Sequence, residues 1–159
     1  GHIAPPHTDD AQPDRGAAHR SAPPRYALSI PLILSTFAAD LPPLLMQRRH
    51  LSEVFVNLLL NAREATPPHG NIRVGAVCGG DNSIEVTIGD DGPGIPRDKL
   101  EQVFQAYYTS KEKGTGLGLA IVKNNVELYG GSVRVESGLG KGARFIVMFP
   151  EKSLMKPAQ

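Results

Sequence analysis

Charge of one sign, cysteine and long apolar runs are all scarce in this chain. Its 17 Lys and Arg are balanced by 16 Asp and Glu, for a net charge of +1, so it carries no basic face of the kind that gathers nucleic acid or anionic lipid. Nucleic acid is not expected as a partner. The single cysteine, Cys78, excludes an internal disulfide and a multi-thiolate metal site. It lies in an apolar stretch, where a buried free thiol is expected, and a reducing cytoplasm suits it. No window nears the roughly 18 apolar residues of a bilayer crossing, and the N-terminus lacks the apolar core of a signal peptide. No membrane contact by this segment is expected; an anchor of a longer parent would lie outside it.

What is present suffices for one ordinary core, 40% apolar residues in a chain of 159. Residues 1–24 hold five prolines and almost no aliphatic side chains, which predicts a disordered tail or linker, its opening Gly-His resembling a cloning remnant. Residues 25–152 form the expected globular domain and 153–159 a C-terminal tail. Leu28 to Leu34 and Ser35 to Ala39 read as extended, ahead of a break at Pro42-Pro43. Apolar residues at helical spacing, Leu51, Val54, Phe55, Leu58, Leu59, Ala62 and Ala65, predict a helix over His50 to Thr66. Asn71 to Cys78 and Ser83 to Asp90 read as strands joined by Gly79-Gly80-Asp81-Asn82.

A short helix is expected over Arg97 to Ala106. A longer one is expected over Gly116 to Tyr129, with Leu117, Ala120, Ile121 and Leu128 as its apolar stripe and Gly130-Gly131 as its stop. Ser132 to Ser137 and Ala143 to Phe149 form a last hairpin with Phe145, Val147 and Phe149 inward. The order predicts an α/β two-layer sandwich: one mixed, mostly antiparallel sheet with about three helices on one face.

Three elements carry chemistry. Glu53, Asn57, Asn61 and Glu64 recur at three- and four-residue steps and line one polar stripe of the first helix. Alone, that stripe fits a solvated face as readily as a ligand site. Asp90-Asp91-Gly92-Pro93-Gly94-Ile95 follows an alternating strand; its glycines let a planar ligand approach, and Asp90 can accept a hydrogen bond from an exocyclic amine. Alone, it is also an ordinary turn. Lys111-Glu112-Lys113-Gly114-Thr115-Gly116-Leu117-Gly118-Leu119 opens a helix, where exposed backbone amides beside a lysine suit phosphate oxygens. It is neither a Walker A loop nor a GxGxxG fingerprint.

The three in this order resemble the histidine-kinase branch of the ATPase superfamily that also holds gyrase, mismatch-repair and chaperone ATPases. Asn57-Leu58-Leu59-Leu60-Asn61-Ala62 resembles the family's N box, Asp90 to Gly94 its first glycine box, and Gly114 to Leu119 its second. Val103-Phe104-Gln105-Ala106-Tyr107-Tyr108-Thr109-Ser110-Lys111 is similar to its F box. The short lid, from about Leu100 to Gly114, and the Arg63-Glu64-Ala65 ending look like the nitrogen-regulation type. Gln47 stands where an acid is frequent, and Ala106 and Tyr107-Tyr108 where Pro and Phe-Phe are frequent.

The resemblance implies a Bergerat-type fold binding ATP and Mg2+. Asn61 would ligate the metal, Asp90 would take the adenine amine, and Gly92, Gly94 and Ile95 would shape the base pocket. Lys111 and the amides of Gly114, Thr115, Gly116, Leu117, Gly118 and Leu119 would hold the phosphates. Phe104 would either anchor the lid or touch ligand. The phosphate would pass to a histidine on a separate helical domain of the parent, with a response regulator downstream. Asn57 stands where the family's hydrolytic members have a glutamate that activates water; a neutral amide cannot act as that base. A hydrolytic ATPase and a nucleotide-binding scaffold that transfers nothing are the alternatives.

Overall fold

The computed structural model describes residues 31–108 and 116–153. Its five strands are β1 (Leu32–Phe37), β2 (Asn71–Cys78), β3 (Ile84–Asp90), β4 (Ser132–Ser137) and β5 (Ala143–Phe149). Its two α-helices are α1 (Arg48–Ala65) and α2 (Gly118–Leu128). The strands form one sheet in the order β1-β2-β3-β5-β4. β1 lies parallel to β2 and every other pair is antiparallel. A parallel pair cannot be closed by a tight turn, and α1 is the crossover between β1 and β2.

Alternation decides which face is covered. Along β3, Ile84, Val86 and Ile88 are buried, and they pair across the sheet with Phe149, Val147 and Phe145 of β5. α1 adds Val54, Leu58 and Ala62, one residue per turn, and α2 adds Val122 and Val126. α1 packs over β3, α2 over β4, and the two helices lie against each other. The opposite sheet face carries exposed Arg73, Arg134, Glu136 and Arg144, the last three loosely paired with Arg134 and Arg144 each 3.7 Å from Glu136. The two-layer sandwich is therefore as expected, with these corrections.

The described residues hold two α-helices, not three, because Arg97 to Ala106 forms two 3-10 turns, Arg97–Lys99 and Gln102–Phe104. Only Val103 of the two turns is buried, so no continuous apolar stripe rewards a third α-helix. The apolar stripe of α2 is also different. Leu128 is 66% exposed and Ile121 36%, while Val122 and Val126 are buried and Leu119 packs beside them. At about 100° per residue Leu117 and Ala120 lie on the far side of the helix from Val122. Cys78 is exposed rather than buried. It shares the inward parity of Ile72 and Ala76 but is the last residue of its strand, beside the hairpin turn.

The turn after β3 is tied back to the start of β2. Asp91 Oδ2 accepts the Asn71 N–H at 2.8 Å and Oδ1 accepts Arg73 Nη2 at 2.8 Å. Those two contacts, the backbone N–H first, hold the Asp91 carboxyl below the usual aspartate range. A depressed folded-state pKa stabilises the protein above the unfolded value, about 3.9 for Asp. That contribution is lost as pH falls through the folded pKa. Asp91→Asn should therefore flatten the acid limb of a urea-unfolding stability profile below about pH 4; an unchanged limb would remove Asp91 from acid unfolding. Leu58→Ala, which empties a fully buried site, should lower unfolding free energy by about 2–5 kcal/mol without changing the fold by circular dichroism.

Candidate nucleotide site

The site is built outward from α1. Its buried row, Val54, Leu58 and Ala62, fixes the helix on the sheet, and Asn57 and Asn61 lie three positions after Val54 and Leu58, about 60° around the axis. That angle leaves both asparagines half-buried at the flank of the helix rather than in open solvent. A half-buried amide must place its donors: Asn57 Nδ2 donates to the Glu53 carbonyl at 2.7 Å. The side-chain nitrogen is thereby turned along α1 and the oxygen toward Gly118, the first residue of α2: a Cβ on Gly118 would lie 3.0 Å from Asn57 Oδ1.

The other end of α1 meets the Asp-Gly turn. A methyl built on Gly92 would lie 2.7 Å from the Ala65 carbonyl oxygen and 3.0 Å from Ala65 Cβ, so the turn is seated against the last residue of α1. Asp90 has the inward parity of Ile88 and is 96% buried, its relative exposure being 4%. A carboxylate placed there needs donors. Oδ1 accepts the N–H of Gly92 at 2.8 Å and that of Ala143 at 3.3 Å. Both bonds converge on one oxygen and fix the orientation of the side chain.

The hairpin between β4 and β5 completes this corner, and sequence reading did not single it out. Gly140 N–H donates to the Pro93 carbonyl at 2.8 Å, Ile95 N–H to Ser137 Oγ at 2.8 Å, and Ser137 Oγ–H to the Gly142 carbonyl at 2.6 Å. Gly94 and Gly142 both take left-handed backbone angles, φ 80° and 74°. A Cβ on Gly94 would overlap the Gly138 carbonyl, and one on Gly142 the Asp90 carbonyl. Only glycine fits at either place. The alternating Gly138, Gly140 and Gly142 were the available signal, legible as a turn but not as a partner of Asp90.

Leu117 precedes α2, and its carbonyl accepts the first helical bond from Ile121 N–H. Gly118 and Leu119 begin the helix, with the Leu119 side chain packed on the core, so these residues can offer backbone rather than side-chain contacts. Gly116 O accepts the Tyr107 N–H at 2.8 Å, joining the F-box segment to the glycine segment. Phe104 meets Phe145 edge to face with ring centres 6.0 Å apart, which places it as an anchor to the core. Lys111, Gly114 and Thr115 lie outside the described residues, as does the part of the lid from 109 to 114.

A separate cleft lies on the sheet face away from the helices, lined by Arg73, Thr87, Glu136, Lys141 and Arg144, with Asp90 at one wall. Asn57 and Asn61 do not line it, so the convergence of the sequence motifs is on the helix side. Among the described residues no group of three or more His, Cys, Asp or Glu could hold a metal by itself. A metal carried in on phosphate oxygens and completed by one amide oxygen, such as that of Asn61, fits this donor set. No described helix is long and apolar enough to cross a membrane.

Comparison with known proteins agrees with this arrangement. Sensor histidine kinase ZraS of Escherichia coli O157:H7 is 43% identical over 119 residues, which are 75% of this chain and 26% of that protein. This chain thus spans about a quarter of the relative's length. The mycobacterial sensor histidine kinase MprB superposes with a TM-score of 0.65 at 30% identity, covering 75% of this chain and 80% of that one. The catalytic domain of histidine kinase ThkA gives 0.67 at 31% identity, covering 77% and 81%. Residues 46–153 match the family described as histidine kinase-, DNA gyrase B-, and HSP90-like ATPase. The half-buried asparagines of α1, the buried Asp90 and the glycine-opened α2 thus sit in a chain that belongs to this ATPase family, as a histidine kinase ATP-binding catalytic domain.

Proposed function

We propose that this chain binds Mg-ATP and transfers the γ-phosphoryl group to a histidine on a separate helical domain, with a response regulator downstream, and that residues 25–152 are the catalytic unit. The observation that carries the proposal is that α1 touches the other two motifs at once, Gly92 through Ala65 and Gly118 through Asn57. An adenine base at Asp90 and phosphates at the start of α2 then lie along one helix.

Asp90 accepts the adenine amine on a carboxylate already held by two N–H groups, and Gly92, Gly94 and Ile95 form the wall of the base pocket. Backbone amides at the start of α2, with Gly114, Thr115, Gly116 and Leu117 before it, receive phosphate oxygens where the helix dipole favours negative charge. Lys111 neutralises the terminal phosphates. Asn61 supplies the protein's oxygen to Mg2+, whose chemistry is to offset charge across the phosphates. The acceptor imidazole nitrogen attacks the γ-phosphorus, the bond to the bridging oxygen breaks and ADP leaves. Such a transfer depends on alignment and charge neutralisation more than on a base. Asn57, neutral at every working pH, is suited to that role and unsuited to activating water for hydrolysis.

Asn61→Ala should abolish or greatly weaken Mg-ATP binding measured by calorimetry, since it deletes the metal's amide ligand; affinity like that of the unmodified chain would reject the assignment. The chain alone should also not label itself on histidine. His50 is engaged by Tyr129 at 2.7 Å and precedes Asn61 by about 16 Å of helix at 1.5 Å per residue. His69 occupies an exposed turn, and His2, His7 and His19 lie outside the described residues. Acid-labile, base-stable phosphate should appear only on an added helical domain from the parent. Stoichiometric phosphohistidine on this chain by itself would overturn the two-domain reading.

A further inference from the structure

α1 and α2 meet along a seam whose polar contacts run in opposite chain directions. His50 Nδ1 lies 2.7 Å from the Tyr129 hydroxyl. One turn on, Asn125 Nδ2 donates to Glu53 Oε2 at 2.9 Å and to the His50 carbonyl at 3.3 Å. Next along, Asn57 Oδ1 faces Gly118. The rungs fall at 50, 53 and 57 on α1, and at 125 and 118 on α2 with Tyr129 just past its last residue, Leu128; steps of three, four and seven residues keep each set on one face. Part of the polar stripe of α1 is thus absorbed by the partner helix. Its remaining members, Asn61 and Glu64, lie beyond the rung at Gly118.

Apolar contacts such as those of Val122 and Val126 are non-directional and tolerate axial sliding, whereas a hydrogen bond is lost within a few tenths of an ångström beyond about 3.2 Å. Sliding α2 by one residue would move its first amides by about 1.5 Å. We propose that Asn125, through Glu53, is a positioning residue of the nucleotide site: its carboxamide sets the axial register that places the first amides of α2 opposite Asn57 and Asn61. This rests on the functional reading above.

The charges around the rung favour a donor at 125. Arg49 reaches Glu53 Oε1 from the solvent side at 3.3 Å, leaving Oε2 to Asn125. The Asn125 hydrogen bond, ahead of Arg49 and the nearby His50, holds the Glu53 carboxyl below the usual range. Tyr129, just after α2, faces His50, while Lys123 pairs with Glu127 within α2 at 4.0 Å. Asn125→Asp keeps the shape but sets a second carboxylate against Glu53.

The test is Mg-ATP affinity and melting temperature of the whole chain with Asn125→Asp, Glu53→Ala, and Asn125→Asp combined with Glu53→Gln. At about pH 7.5 Asn125→Asp should bind about tenfold more weakly than the unmodified chain, the worth of one hydrogen bond to a charged group. Relative to the unmodified chain, that deficit should shrink toward about pH 5.5 as the facing carboxylates share a proton. Combination with Glu53→Gln, which returns an N–H to the rung, should bring affinity back to within about twofold. Glu53→Ala should reproduce the loss and carries the test if Asn125→Asp does not fold. Unchanged affinity in Asn125→Asp or Glu53→Ala, or a pH-independent loss that Glu53→Gln does not repair, overturns the positioning role. Absence of Mg-ATP binding by the unmodified chain overturns the functional reading and this one together.

Discussion

The structure depends on α1 carrying two adjacent rows of side chains about 100° apart. Val54, Leu58 and Ala62 bind the helix to the sheet with almost no exposed surface, and this burial is what stabilises the contact. The neighbouring row, Glu53, Asn57 and Asn61, is thereby held at the edge of the core, where polar groups are dry enough to need partners and near enough to the surface to meet a ligand. A wider angle between the rows would put the asparagines in water; a narrower one would bury them.

The second constraint is the inward parity of Asp90. The strand that buries Ile84, Val86 and Ile88 must also place the next inward position, Asp90, in the covered layer. A carboxylate there is tolerable because the chain turns at once and presents the Gly92 N–H, and because β5 contributes the Ala143 N–H. The left-handed glycines at 94 and 142 allow turn and hairpin backbones to approach closely enough for those bonds. Fold and site are the same hydrogen bonds at this corner.

Membership of a family described as histidine kinase-, DNA gyrase B-, and HSP90-like ATPase does not by itself select a chemistry. The function proposed above places that selection at Asn57, an amide whose nitrogen is bound to its own helix and which has no proton-accepting role to offer. The neighbouring carboxylate on the same stripe, Glu53, is occupied by Asn125 and Arg49. The α1 face next to the proposed phosphates is thus arranged to position charge rather than to move protons.

Much of this was legible in the sequence. The strand alternation, the α1 periodicity, the hairpins and the three motifs proposed to hold the nucleotide are local patterns, set by side-chain period and turn chemistry within a few residues. The parity that buries Asp90 is local in the same way. The apolar stripe of α2 was misread because eleven residues with apolar side chains on several sides do not say which side meets the sheet, and neighbours chose Val122 and Val126. The exposure of Cys78 depended on where cover ends at a strand terminus. The splitting of one polar stripe between interhelical rungs and the positions beyond them, and the seating of the β4–β5 hairpin on Asp90, join residues 42 to 79 positions apart. Sequence alone determined which side chains could hydrogen-bond and on which face they lay. Their pairing was decided by tertiary structure, because a hydrogen bond requires a partner within about 3.2 Å and only the packed helices and sheet bring those partners together.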